Sequence, residues 1–314
     1  CMDGSHMRQF AILVTGLLGF LGLLGLLGLL LMSSGSVHAA SEPPASPTMK
    51  KAVKIEMVKE GGTLEEKFRL LRSLGYDGVE LPSPNAWSVE EVVAASKATG
   101  LPVHGVVCSE HWKSPLNDSN PEVRAKCVAA IREAIADAKA YGASSVLVVP
   151  AVVGKNRSYE DAWRLSRAEL LKVIPDAEAA GIDIAFENVW NNFLLSPREA
   201  AEYVDSFESD RVGWYLDVGN LVAYGWPEQW IRVLGPRVMK IDVKEYSRSK
   251  LDKEGRWAGF DVLLLEGDCD WPAVMTALRE IEFDGWMTAE IGGGDRAWLT
   301  DVATRMDRIR ESAE

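Results

Sequence analysis

From residue 50 onward, short apolar runs alternate with longer stretches whose apolar residues recur at helical spacing. Ala52–Val58 predicts a strand and Thr63–Leu74 a helix, with Leu64, Phe68 and Leu71 on one face. Gly78–Leu81 (GVEL) is a short second strand. Ser88–Thr99 is the helix after it, opened by a capping box in which Ser88 is answered three residues on by Glu91. Pro102–Cys108 is a third strand, and Glu122–Tyr141 a long helix that Gly142 stops. Ser145–Val149 (SVLVV) is continuously apolar, as a strand buried on both faces should be. Tyr159–Ala180 predicts one helix ended by Gly181, Ile182–Glu187 a fifth strand, and Pro197–Phe207 a helix with Ser196 as cap and proline in its first turn. Val212–Asp217 is strand six, Pro227–Leu234 a short helix and Val238–Asp242 strand seven. A longer excursion, Lys244–Asp268, carries Arg248, Lys250, Lys253 and Arg256 and reads as a solvated loop or a cover for an anionic substrate. Asp270–Ile281 is a helix, Trp286–Glu290 strand eight and Arg296–Glu311 the last helix.

Eight βα units in about 260 residues match a single (β/α)8 TIM barrel of the α/β class in count and length. A doubly wound open sheet would place a glycine-rich phosphate turn after its first strand. The one run of three glycines, Gly292–Gly294, follows strand eight instead.

The N-terminal stretch is of another kind. Residues 1–6 (CMDGSH) read as an expression remnant ahead of Met7. Residues 7–40 hold Arg8, an uncharged Leu- and Gly-rich run from Phe10 to Met32, and small residues up to Ala39 and Ala40. That pattern predicts either a cleaved signal peptide or a membrane anchor, and both place the rest of the chain outside the cytoplasm, because Arg8 favours an inside N-terminus. Membrane contact is expected only if the segment stays uncleaved. Residues 41–49 form a Pro/Ser linker with nothing to bury, and 50–314 the barrel. The formal net charge of −12 argues against nucleic acid as a partner, since phosphate binding needs a basic face. Cys108, Cys127 and Cys269 have no metal-type spacing and read as small buried hydrophobes.

Strands five to eight each end on an acid: Glu187, Asp217, Asp242 and Glu290. In a barrel the C-terminal strand ends form the active-site face, so these four carboxylates converge. Converging carboxylates repel one another and need a counter-charge. A hard divalent cation supplies it, and oxygen ligands favour Mn²⁺ or Mg²⁺. His111 and Trp112 after strand three, and Trp190 and Asn191 after strand five, fall in loops at the mouth and are candidate sugar contacts. Glu80 near the end of strand two and Lys244 just beyond Asp242 are further substrate-binding candidates. His104, inside strand three, is expected in the barrel core, with a ligand role as its alternative.

DGVEL (77–81), SEHW..PL (109–116), ENVWNNFLLSP (187–197), LDVGN (216–220), KIDVKEY (240–246) and DGW…AE (284–290) together resemble the xylose-isomerase-like sugar (phosphate) isomerase/epimerase superfamily. The resemblance implies a barrel binding one divalent metal through strand-end Glu, Asp, His and Glu, with the two Glu serving as acid and base. Those positions fall on Glu187, Asp217, residue 242 and Glu290. Residue 242 departs from the pattern, because an aspartate stands where the resemblance implies histidine.

The expected function is an exported, metal-dependent carbohydrate isomerase or epimerase working by proton abstraction beside a carbonyl. Export favours a free or glycosidically linked sugar over a phosphorylated one. A lyase or hydratase that eliminates the aglycone of a keto-glycoside on the same site, and a non-catalytic sugar-binding barrel, are the alternatives. The superfamily's endonucleases use several histidines at their metals. Outside the first 40 residues this chain has only His104 and His111.

Overall fold

The computed structural model describes residues 49–312, so the signal or anchor segment and all but the last residue of the linker lie outside the described residues. Eight parallel strands close into a barrel in chain order: β1 (Lys50–Lys54), β2 (Gly78–Ser83), β3 (Val103–Cys108), β4 (Ser145–Val148), β5 (Asp183–Glu187), β6 (Val212–Asp217), β7 (Val238–Val243) and β8 (Trp286–Ala289). Closure is made by β1 pairing with β8, in register from Lys50 opposite Trp286 to Val53 opposite Ala289. The expected (β/α)8 architecture is present. Among the described residues, no helix is long and apolar enough to cross a membrane.

The outer helices follow from local chemistry. Capping boxes open α1 (Leu64–Ser73), α2 (Val89–Thr99) and α6 (Pro197–Asp205), through Thr63 with Glu66, Ser88 with Glu91 and Ser196 with Glu199. The long α3 (Pro121–Tyr141) is capped by Asn120 at one end and by left-handed Gly142 at the other. Buried faces such as Leu64, Phe68, Leu70 and Leu71 of α1 pack these helices onto the barrel wall.

Four boundaries differ from the sequence expectation. The predicted helix 159–180 is two helices, α4 (Tyr159–Leu170) and α5 (Ile174–Ala180), because Pro175 lacks an amide proton and fits only the first turn of a new helix. β1 ends at Lys54, where its ladder to β2 runs out opposite Glu80, and Ile55–Met57 turns into a 3-10 helix. A one-turn helix, α7 (Val218–Val222), follows β6 directly, ahead of α8 (Pro227–Leu234). The excursion after β7 is ordered, holding α9 (Arg248–Glu254) and a 3-10 turn at Ala258–Phe260 before α10 (Trp271–Glu280); α11 (Arg296–Glu311) closes the domain.

The barrel interior is partly polar. Glu80 accepts a hydrogen bond from the Tyr215 hydroxyl at 3.2 Å, and that hydroxyl lies 2.9 Å from Thr288 Oγ1. Thr288 meets His104 Nε2 at 3.1 Å, and His104 Nδ1 lies 3.0 Å from Lys240 Nζ. Buried polar groups cost stability unless paired, and this chain of contacts pairs them strand to strand across the barrel. Gly105 makes room for it: a Cβ there would stand 2.6 Å from Glu80 Oε1 and 2.9 Å from Lys240 Nζ. Gly105→Ala is therefore expected to destabilise the fold by about 1–3 kcal/mol in urea unfolding, as an overpacked interior does. A loss under a few tenths would show that the network relaxes freely.

Candidate active site

Parallel strands of matched register bring their C-terminal ends level, and alternate residues point inward. Asp217 pairs in register with Asp242, and Asp242 with Thr288, two residues before Glu290. Glu187 ends β5, and Glu290 stands one residue past β8. One carboxylate oxygen from each of Glu187, Asp217, Asp242 and Glu290 lies within 4.8 Å of all the others. Glu187, Asp217 and Asp242 are buried, while the Glu290 side chain is about one-third exposed and faces the mouth.

Neighbouring amides hold two of these strands in place. Asn188 donates to the Asp217 carbonyl at 2.7 Å, and its Oδ1 accepts from the Asp217 amide and from Trp214 Nε1, both at 3.0 Å. Asn220 donates to the Asn188 carbonyl at 3.0 Å, and its own amide donates to Asp217 Oδ1 at 2.8 Å. Asp217 is thus both the N-cap of α7 and a member of the acid cluster, with Oδ2 left facing the centre.

Two lysines enter the cluster. Lys244 Nζ lies 2.7 Å from Asp217 Oδ2 and 2.8 Å from Glu290 Oε2. Lys54, the last residue of β1, places Nζ 3.0 Å from Asp242 Oδ2, 3.2 Å from Glu290 Oε1 and 3.6 Å from Glu80 Oε2. The carboxyls respond unequally. Burial, with Glu290 nearby, pushes Glu187 well up, and burial does the same to Asp242 against the pull of Lys54. Burial pushes Asp217 up to about 6. At Glu290 burial acts upward too, but the ammonium groups of Lys244 and Lys54 outweigh it and hold the group below the usual carboxylate range.

Asp217 Oδ2, Glu290 Oε2 and both oxygens of Asp242 are buried and meet no polar partner beyond the lysine ammonium groups. Their lone pairs, the oxygen-only donor set and the mutual spacing fit a hard divalent cation held by Glu187, Asp217, Asp242 and Glu290.

Above the acids opens a cavity of ≈ 490 Å³, with Glu187, Glu290 and Lys244 at its base and Trp112, Trp190 and Trp257 among its walls. Of the predicted contact residues, Trp112, Trp190 and Lys244 line this cavity. Three others are put to structural use. Glu80 lies beneath the cluster, bonded to Tyr215. His111 is buried and accepts from the Val149 amide at 3.2 Å. Asn191 donates to the Ala151 carbonyl and accepts from the Phe193 amide, pinning its own loop. His104 stacks on Trp286 within the barrel, bonded to Thr288 and Lys240, and supplies no imidazole in place of Asp242.

Sequence reasoning missed Lys54, Asn188, Asn220, Trp257 and Phe260. Asn188 and Asn220 lie inside the motifs ENVWN and LDVGN, and the available signals are an amide next to the strand-end Glu187 and one three residues past Asp217. Nothing local marked Lys54. Glu245 was likewise unread: it accepts from the Leu265 and Cys269 amides and from Trp271 Nε1 at 2.8–3.0 Å, which secures the excursion carrying Trp257 and Phe260.

Residues 68–314 match the family of xylose isomerase-like TIM barrels, and the chain belongs to that family. None of the curated proteins matches it. Among solved structures it is similar to an L-ribulose 3-epimerase, with a TM-score of 0.70 and 16% identity over 84% of this chain and 95% of that one. It is also similar to 3-keto-D-glucoside 4-epimerase YcjR from E. coli, with a TM-score of 0.69 and 18% identity over 84% of this chain and 100% of that one. A third, the IOLI protein with a bound zinc atom, superposes at a TM-score of 0.69 with 18% identity, over 85% of this chain and 99% of that one. At these identities the likeness establishes the shared fold.

His111 gives a pH signature. Burial pulls it down to about 3 from an ordinary value near 6.5, so the unfolded chain takes up the proton first. Its contribution to stability is complete above the unfolded value and is lost as pH falls toward the folded one. His111→Asn is expected to flatten the acid limb of unfolding free energy against pH, by up to ~1.4 kcal/mol per pH unit. Asp217, pushed up to about 6, acts with the opposite sign, so the histidine's part is read as the difference between wild type and variant. Parallel pH profiles would refute the assignment.

Proposed function

We propose that the protein is a metal-dependent carbohydrate isomerase or epimerase that moves a proton beside a carbonyl. The observation that carries this reading is the placement of Glu187 and Glu290. They stand three strands apart round an eight-strand ring, at the base of one cavity, within the acid set that fits the cation. The oxygen-only set suits Mn²⁺ or Mg²⁺. Such a cation, when bound, polarises the carbonyl and an adjacent hydroxyl and lowers the cost of charge developing on oxygen.

The chain's own residues do the rest. One of Glu187 and Glu290 takes the proton from the carbon beside the carbonyl, and the other returns one. Return to the opposite face of the same carbon epimerises; return to the neighbouring carbon isomerises. Lys244 Nζ, at the base of the cavity and ion-paired to Glu290, is within reach of a substrate oxygen and offsets negative charge as it builds. Trp190 is fixed as a wall by its Nε1 bond to the Asn220 carbonyl at 2.9 Å and by packing on Phe260 at 4.9 Å between ring centroids. The apolar N-terminal run supports an extracytoplasmic location, where unphosphorylated sugars are the available substrates.

The test is solvent-deuterium exchange into a panel of free ketoses and keto-glycosides, with Mn²⁺ supplied or chelated. Glu187→Gln and Glu290→Gln are each expected to cut exchange by about 10²-fold or more, and chelation to do the same. Undiminished exchange in both variants would sink the mechanism.

A specific observation favours a keto-glycoside within this reading, processed by epimerisation or by elimination of its aglycone. Trp257 is 70% and Trp112 51% exposed at the cavity walls, aromatic surface available to a second ring. Trp257→Ala is expected to raise KM about tenfold for a 3-keto-glucoside carrying a second ring while leaving KM for a free ketose unchanged, since one lost stacking contact is worth about 1–1.5 kcal/mol. Equal effects on both substrates would remove the second-ring contact.

A further inference from the structure

Asp242 is the most deeply committed acid of the cluster. It is fully buried, and neither oxygen meets a donor other than the Lys54 ammonium. A carboxylate in that position needs a positive charge close by. Lys54 provides one from β1, a strand that contributes none of the four candidate ligands. Its side chain is only 10% exposed, so the ammonium is drawn inward rather than extended to water. Its nearest contact is Asp242 Oδ2 at 3.0 Å, and its next is Glu290 Oε1 at 3.2 Å. Its Nζ also stands over the Tyr215 ring, 5.7 Å from the ring centroid. Lys244 occupies the other side, on Asp217 and Glu290, and does not reach Asp242 within ion-pair distance among the described residues.

We propose that Lys54 is a resident counter-ion paired with Asp242. It stabilises the acid ring when no metal is bound and lowers the affinity of the ring for a divalent cation when one arrives. The second half rests on reading Glu187, Asp217, Asp242 and Glu290 as ligands, and the first half does not. The physical basis is that an ammonium in contact with two of four ligating carboxylates both neutralises them and repels a dication entering the same space. Removing one member of this pair shifts the net charge of the buried cluster by one, whereas removing both leaves that net charge unchanged, with Glu290 still held by Lys244. The pair therefore has a non-additive signature.

The experiment compares wild type with Lys54→Met, Lys54→Arg, Asp242→Asn and the Lys54→Met/Asp242→Asn double variant. Melting in a chelator reads the pair, and calorimetric titration with Mn²⁺ reads the cation. Lys54→Met and Asp242→Asn are each expected to melt about 6 °C or more below wild type, with the double variant recovering most of that loss and Lys54→Arg staying close to wild type. Lys54→Met is expected to bind Mn²⁺ at least about tenfold more tightly than wild type, because the repelling charge is gone. Additive melting losses, or Mn²⁺ affinity in Lys54→Met that is unchanged or weaker, would overturn the proposal. Should no variant bind Mn²⁺, the metal-dependent reading of the site falls and the melting cycle alone decides whether Lys54 and Asp242 are a pair.

Discussion

The structure turns on the burial of several carboxylates at one end of a barrel. Glu187, Asp217, Asp242 and Glu290 stand within reach of one point, with Glu80 directly beneath. Carboxylates so placed cannot all be ionised without nearby positive charge. The neighbouring strands answer that constraint. Lys54 comes from β1, Lys244 lies just past β7, and Lys240 lower on β7 reaches His104 in the interior. The same constraint explains why the barrel core is polar where many barrels stack aliphatic layers. Lys240, itself pulled down to about 8 by burial, needs the His104, Thr288 and Tyr215 contacts that lead to Glu80.

Positioning is handled by groups that make no contact with the reacting atoms. Asn188 ties β5 to β6 by both edges of its amide, which sets Asp217 and leaves its Oδ2 facing Lys244. Glu245 performs the corresponding task for the excursion after β7, collecting two backbone amides and one indole N–H. A segment secured in this way holds Trp257 and Phe260 over the cavity. Asn220 joins acid geometry to aromatic wall, since it holds Asp217 and Asn188 and its carbonyl fixes Trp190, whereas Trp257 and Phe260 depend on the separate anchor at Glu245.

The alternation of strand and helix patterns was legible because each unit carries its own signals. Capping boxes, left-handed glycines and short apolar runs are local, and they located all eight strands and the outer helices. The one helix drawn too long, across Pro175, ignored a local signal that was present. The four acids were legible for a related reason, because strand-end position in a barrel is a statement about direction that sequence alone can make. The contact residues were harder. His111, Asn191 and Glu80 sit near the mouth in chain order, yet their polar atoms are spent on Val149, Ala151, Phe193 and Tyr215. Which of two uses a polar side chain is put to depends on what stands opposite it, and that is a property of the closed barrel.

By itself the sequence determined the fold class, the family and the four strand-end acids, since each rests on periodicity, local caps or the order of motifs along the chain. Tertiary structure alone decided that Lys54 faces Asp242. Those residues belong to strands at opposite ends of the domain sequence, and only closure of β1 on β8 brings the ammonium under the acid. It also decided that the excursion after β7, whose basic residues suggested a solvated loop, turns its aromatic residues into the wall of the site. The reason is common to both: charge compensation and side-chain packing act through space, and distance along the chain carries no record of them.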